Sequence, residues 1–479
     1  MTTISSMSYR GVSLSRFSIA FAFLCLLFLF RNVWLPTIPV TSPIPHLGTE
    51  QSKTAEDGTA QAHQSSQADC KNVPGADRVL VILKTGATEI FEKLPEHFLT
   101  LFRCTPNYLI YSDLEQTISD HPIHDAIAGV SDHYKNHHED FELYRQLQQY
   151  YREGQDFGKL KGDSGWNLDK WKFLPMLHDV YRKAERMEAK IDWFVYIEAD
   201  TSLSWNNLLL WLKKMDPGKP HYLGAQNVVG ETTFAHGGSG FVMSRAAAKK
   251  LEDGRARGGE EGIRAWDEKW EKLTSESCCG DEIVARALLK EVGVPLTPSW
   301  PLIQGETVSS IDWTHNHWCA LAVTWHHVTP SEVDTMWQFQ MNWVEDHGWD
   351  TPYLYADVYT QFISRHITVN RTNWNNLSAD RKLVKPSVSS DISPEEFHKL
   401  PAHEQRGVDG FDECGAACAM DPNCVQWMYA PGRCYLGKDI RLGKSDDREQ
   451  DHWKSGWVQE RVRERRKTHE DCRRIRWHG

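Results

Sequence analysis

Ile191-Asp-Trp-Phe-Val-Tyr-Ile-Glu-Ala-Asp200 is the stretch on which the fold reading turns. Trp193 to Ile197 is an uninterrupted apolar run, short enough for a strand buried on both faces, and it ends in acid. In open α/β sheets ligands bind beyond the carboxyl ends of strands, so Glu198 and Asp200 stand where a site is expected. Two carboxylates that close cannot both be buried cheaply without a cation. A divalent metal bridging a diphosphate would satisfy them and neutralise a leaving group. Many surface turns also carry an acid-x-acid triplet; the strand before this one singles it out.

The preceding sequence supplies more of such a sheet. Arg78-Val-Leu-Val-Ile-Leu-Lys-Thr-Gly86 reads as another buried strand feeding a turn. A helix follows around Ile90 to Phe102, then a short strand, Tyr108-Leu-Ile-Tyr-Ser-Asp113. Strand, helix, strand is the start of a doubly wound α/β fold. Asp140 to Gly165 is helical and polar. Trp166 to Arg186 reads as one long helix with Trp171, Leu174, Leu177 and Val180 on one side.

Three later features carry chemistry. In Phe234-Ala-His-Gly-Gly-Ser-Gly-Phe-Val-Met-Ser244, the glycines at 237, 238 and 240 would let backbone approach a ligand closely. They would equally serve a plain turn into a helix capped by Ser244. Cys278-Cys-Gly-Asp-Glu282 precedes an amphipathic helix, Ile283 to Val292, closed by Gly293 and Pro295. Asp281 reads either as an N-cap or as a general base for an acceptor hydroxyl. Trp325-His326-His327 follows a strand-like Leu321-Ala-Val-Thr324. Most His pairs are structural, but one here could complete a metal site otherwise made of oxygens, which suits manganese better than calcium.

Composition narrows the class. The chain has 479 residues, 40% hydrophobic and 25% charged, enough for more than one folded unit with a sizeable core. A formal net charge of −11 argues against a nucleic-acid partner, which would call for a basic face. The 20 tryptophans suit stacking on sugar rings, and they are also common core material.

The N-terminus predicts an address. Arg10 and Arg16 precede an apolar run from Phe17 to Phe30, with Trp34 and Leu35 at its far end. That pattern predicts a signal-anchor helix over 17–35, with a cytosolic tail at 1–16 and a luminal remainder; a cleaved signal peptide is the alternative. Residues 36–76, rich in Pro, Ser, Thr and Gln, read as a disordered stem. Of the 11 cysteines, Cys25 falls in the anchor. Cys70, Cys104, Cys278, Cys279, Cys319, Cys414, Cys418, Cys424, Cys434 and Cys472 form an even set, which reads as disulfides in an oxidising compartment. Zinc-type Cys-x-x-Cys spacing does not occur. Asn370-Arg-Thr372 and Asn376-Leu-Ser378 are both permitted glycosylation triplets. The expected domains are a catalytic unit at 77–385, a linker at 386–410, a cysteine-dense module at 411–445 and a solvated, mixed-charge tail at 446–479.

Taken in this order, the motifs resemble glycosyltransferase family 31, the β1,3-glycosyltransferases that include fringe and the core 1 β1,3-galactosyltransferase, and look closest to the fungal members. The resemblance covers about Val79 to Trp349. The family's Asp-Asp-Asp-Thr metal motif looks like Glu198-Ala199-Asp200-Thr201, and its glycine loop like Gly237-Gly238-Ser239-Gly240. The Glu-Asp pair before a helix looks like Gly280-Asp281, and Leu-Ala-Val-Ser-Phe-His-Tyr-Val looks like Leu321 to Val328. Two departures stand out: Glu198 replaces the first acid of the triplet, and Gly280 the acid before Asp281. The resemblance implies an open, mostly parallel nucleotide-sugar-binding sheet. It also implies inverting, Mn2+-dependent transfer of a galactose or N-acetylhexosamine from a UDP-sugar to a glycan or glycoprotein acceptor, β1,3-linked, at the Golgi membrane as a single-pass type II protein. Asp281 would be the catalytic base, and Glu198, Asp200 and His326 the metal ligands. Ala199, Gly237, Gly238, Ser239, Gly240 and Lys170 would contact donor or acceptor. Cys414-x3-Cys418-x5-Cys424-x9-Cys434 resembles a PAN/apple module over Phe411 to Leu442, with a ligand-free stapled cap as the alternative. The rival function is a carbohydrate-binding or chaperone-like protein on the same fold. Oligomeric state is not readable.

Overall fold

The computed structural model describes residues 70–389, 392–446, 452–469 and 472–477. Its centre is an eight-stranded sheet. In chain order the strands that matter begin with β1 (Val79–Lys84), β2 (Asn107–Ser112), β3 (Gln116–Ile118), β4 (His121–Asp125) and β5 (Trp193–Glu198). They continue with β6 (Thr201–Leu203), β7 (Tyr222–Gly224), β8 (Gln226–Val229), β9 (Thr232–Ala235), β10 (Phe241–Ser244), β11 (Thr297–Pro298) and β12 (Thr324–His326). The sheet runs β11-β7-β10-β5-β1-β2-β4-β3. The β1–β2, β1–β5 and β2–β4 pairs are parallel, whereas β10 is antiparallel to both its neighbours.

Both faces of this sheet are covered, which is why its strands read as unbroken apolar runs. All six residues of β1 are buried. Val79, Val81 and Leu83 enter one core, and Leu80 and Ile82 the other. Trp193, Val195 and Ile197 of β5 alternate with Phe194 and Tyr196 in the same way. Most tryptophans are core: Trp171, Trp205, Trp211, Trp313, Trp325 and Trp457 are each at most 2% exposed. Trp166, 68% exposed, is a clear exception.

Several expectations need correction. The expected long helix over 166–186 is two, Ser164–Asp169 and Phe173–Ala184. Pro175 has no N–H to donate and fits the first turn of a helix, so the chain restarts at Phe173. The fold-class expectation of a single transmembrane helix is overturned: no helix among the described residues is long and apolar enough to cross a membrane. The two 18-residue helices, Gly259–Glu276 and Pro330–His347, alternate charged and apolar residues and lie on the protein. The run at 17–35 lies outside the described residues, as do Cys25 and most of the proposed stem. Order already holds at Cys70, which is fully buried and bonded to Cys104.

The ten cysteines expected to pair do so, as Cys70–Cys104, Cys278–Cys279, Cys319–Cys472, Cys414–Cys434 and Cys418–Cys424. A five-stranded sheet is built from β13 (Asn370–Thr372), then, past β14 (Trp374–Asn375), β15 (Arg381–Val384), β16 (Gln426–Ala430) and β17 (Arg433–Gly437). After β18 (Lys444–Ser445), β19 (Lys454–Trp457) completes it. It therefore draws strands from both sides of residue 385. The Phe411–Met420 helix is stapled onto it by Cys414, whose partner Cys434 lies on β17. The basic tail is not simply solvated. Arg461 donates to the carbonyls of Cys418, Ala419, Asp421 and Cys424, and Cys472 is bonded back to Cys319.

Candidate active site

A cavity of about 590 Å³ opens at the carboxyl ends of β1 and β5. Sites of this size suit small-molecule ligands. Glu198, Asp200, Gly238, Asp281, His326 and Lys170, all expected from the sequence, line it. Ala199, Gly237, Ser239 and Gly240 stand behind the wall and hold it in place. Ala199 donates its N–H to the Lys84 carbonyl, and its own carbonyl meets Nε2 of the buried His97 at 2.8 Å. Ser239 bonds Nδ1 of His236 at 2.8 Å. Gly240 turns with φ 85° and passes so near the Tyr196 carbonyl that a Cβ would lie 2.9 Å from it.

Asp281 is buried and lies in the first turn of the Gly280–Val292 helix, not at its cap, which is Cys279. Its Oδ2 accepts the Gly237 N–H at 2.8 Å and its Oδ1 the Glu282 N–H at 2.9 Å. A carboxylate oxygen can accept two bonds, so capacity remains on each towards the cavity. Burial raises its carboxyl above the ordinary range, against the two backbone donors and His236. Gly280, the residue without the expected acid, has a steric cause: a Cβ there would lie 2.3 Å from the Lys170 carbonyl and 2.6 Å from the Phe173 ring.

The two carboxylates after β5 go different ways. Glu198 Oε1 is 3.0 Å from Nζ of Lys84, a side chain 6% exposed that also binds Asp169 at 2.6 Å. Burial would lower that ammonium; Asp169 and Glu198 overcome it and hold it above its ordinary value. Asp200 faces His326, with Oδ1 3.4 Å from Nδ1, and its Oδ2 takes Lys93 at 3.1 Å. Burial works against the Asp200 charge, but the Lys93 ammonium prevails and holds its carboxyl below the ordinary range. Burial drives His326 down to about 3, which keeps the imidazole neutral, the form that binds metals. Its Nδ1 is buried and has no hydrogen bond. Asp200, His326 and His327 each offer a ligand atom within 4.8 Å of the others. An orphaned buried nitrogen beside a carboxylate fits a metal.

The position of His326 comes from β12, which pairs antiparallel with β6 so that His326 lies opposite Thr201. The glycine loop then closes on it: a Cβ at Gly238 would lie 2.2 Å from Nε2. The sequence reading did not single out Lys84, Asp169, Lys172 or Trp166 at this cavity, nor Lys93 against Asp200. Lys172 is buried and paired with Asp113 at 3.2 Å, so the floor carries two buried ammonium groups. A lysine inside an apolar strand, as Lys84 is, was the available signal. Cys278 and Cys279, bonded to each other, form part of the wall beside Asp281.

Residues 100–310, a stretch that takes in Glu198, Asp200, the Gly237–Gly240 loop and Asp281, match the family model described as Fringe-like, and this domain points to a glycosyltransferase of the family 31 type.

Proposed function

We propose that the protein is an inverting, Mn2+-dependent glycosyltransferase that moves a hexose, of galactose or N-acetylhexosamine type, from a UDP-sugar to a hydroxyl of a glycan or glycoprotein, in β1,3 linkage. The observation that carries this reading is Asp281. It is a buried carboxylate with a raised pKa, fixed by two backbone donors and lining the same cavity as the Asp200–His326 pair. A base matched to proton abstraction near neutral pH needs such a shift. Asp281 accepts the proton of the acceptor hydroxyl as its oxygen bonds to the anomeric carbon; the bond from that carbon to UDP breaks on the opposite face. Asp200 and His326 would hold the metal, which when bound offsets charge on the leaving diphosphate. Lys84 and Lys172, each paired with carboxylates, brace the floor of the same cavity.

The five disulfides support work in an oxidising lumen, and we propose the Golgi as that compartment. We further propose that the stapled helix and sheet at the C-terminus form an apple-like module of the kind that binds protein or carbohydrate. Incubating the chain with a panel of UDP-sugars, Mn2+ and mixed glycoprotein acceptors, and measuring free UDP, tests the activity. Acceptor-dependent UDP release is expected. Donor binding with no release from any sugar would instead favour a carbohydrate-binding or chaperone-like protein.

A further inference from the structure

We propose that His327, not Glu198, is the third protein ligand of the metal held by Asp200 and His326. The resulting two-imidazole, one-carboxylate set selects a first-row transition ion over Mg2+. The inference rests on the metal-dependent reading above.

The backbone is the first observation. In a continuing strand, neighbouring side chains point to opposite faces, so His326 and His327 would diverge. They do not, because His327 has φ 59°, in the left-handed region that residues with a Cβ rarely enter. The imidazole centroids are consequently 3.9 Å apart. This turn is clamped to the main chain that carries the carboxylate it serves. On one side His326 pairs with Thr201 across the β6–β12 ladder; on the other the Val328 N–H donates to the Asp200 carbonyl at 3.1 Å. Ser119, Asp120, Asn373, Leu377 and His452 adopt positive φ away from the cavity; at His327 the two clamps just described hold it beside Asp200.

The second observation is the donor set. Asp200, His326 and His327 converge within 4.8 Å, and Nδ1 of His326, in a residue 4% exposed, has no hydrogen bond. Lys93 takes Oδ2 of Asp200 and leaves Oδ1 facing His326. The third is Glu198. Its Oε1 is committed to Lys84 at 3.0 Å, and Lys84 is buried with Asp169 as its other carboxylate. Drawing Glu198 to a metal would remove one of the two anions that compensate a buried ammonium. Imidazole nitrogens favour transition ions, whereas Mg2+ prefers an all-oxygen shell.

Titration of the purified chain with Co2+, followed by its visible absorption and by calorimetry, tests this without reference to turnover. Wild type should bind one Co2+ with nitrogen-ligand bands, and Mg2+ should not displace it at equal concentration. His327→Ala should weaken Co2+ binding at least 10- to 100-fold, the loss that even an outer-sphere partner causes. His327→Gly, which suits the left-handed backbone, should weaken it as much and keep the apo melting temperature. Glu198→Gln should weaken it far less than either His327 variant does. If the His327 variants bind like wild type, or Glu198→Gln loses the ion instead, the assignment is overturned while the metal site stands. If wild type binds no Co2+ or Mn2+, the metal-dependent reading fails with it.

Discussion

Gly238→Ala tests whether the glycine loop exists to let backbone touch His326. The added methyl would sit 2.2 Å from Nε2, 2.6 Å from Cε1 and 2.9 Å from Cδ2 of that ring. Ordinary contact begins near 3.4 Å, so loop and ring must separate by about 1 Å. The ring cannot simply swing away, because the residue is 4% exposed and Asp200 lies at its other nitrogen. Overpacking of this kind costs about 1–3 kcal/mol. A metal ligand displaced by about 1 Å should lower turnover by roughly 10²-fold. The control lies in the same cavity: a Cβ at Gly86 meets nothing closer than 3.6 Å, so Gly86→Ala should change stability by less than about 1 kcal/mol. Denaturant melts of both variants, with Mn2+ affinity and UDP release measured alongside, give the comparison. Gly238→Ala with wild-type stability and wild-type metal affinity would refute the proposed close approach.

Other outcomes follow from the same structure. Because burial raises the Asp281 carboxyl and a base must be deprotonated, kcat should fall on the acid side at a pH above the ordinary carboxylate range, about 4, as a pH–rate profile will show. The same raised pKa means that the folded state binds this proton more tightly than the unfolded one. Its stabilising contribution is present at low pH and lost as pH rises through the folded value, so at neutral pH Asp281→Asn removes a charge that burial opposes, which offsets the lost Glu282 N–H bond, and it should melt close to wild type. Only one of the two glycosylation triplets is usable: Asn370 is exposed, whereas Asn376 is fully buried with its Nδ2 donating to the carbonyls of Trp427 and Gly456. In a secretory host, Asn370→Gln should abolish the glycan shift; Asn376→Ala should leave that shift and cost about 1–3 kcal/mol through its stranded partners, read by melting. Serine at both Cys319 and Cys472, which close a loop across 153 residues of sequence, should lower stability by about 2–5 kcal/mol and expose the C-terminal helix to protease.

The sheet was readable where burial is two-sided, since β1, β2 and β5 are apolar runs in the sequence itself. Asp200, Asp281 and His326 were readable because each stands at the end of a run or the start of a helix. Their convergence was not: His326 reaches Asp200 only through the β6–β12 ladder, between residues more than a hundred apart in sequence. The same limit hid Lys84, whose carboxylate partners are distant in the chain, and the reach of Lys93 past its near neighbour Glu89 to Asp200. His327 follows His326 in the sequence, but its approach depends on a backbone angle that no spacing predicts. The division of the 166–186 helix, by contrast, is signalled by Pro175, although the apolar stripe runs on through it. The tail's charge suggested solvent; carbonyls left over at the end of the Phe411–Met420 helix and in the loop after it gave Arg461 a place to dock.

The central claim is that Asp281 takes a proton from an acceptor hydroxyl. Turnover of Asp281→Asn at saturating UDP-sugar and Mn2+, with donor affinity measured on the same sample, tests it most directly. Asparagine can still accept the Gly237 N–H through its amide oxygen, so the loop and helix stay joined, while its amide nitrogen no longer accepts the Glu282 N–H. The account predicts donor binding within a few-fold of wild type, a melting temperature close to wild type, and a loss of roughly 10²-fold or more in kcat. Near-normal kcat with intact donor binding would contradict it and leave Asp281 as the tie between the glycine loop and the Gly280–Val292 helix.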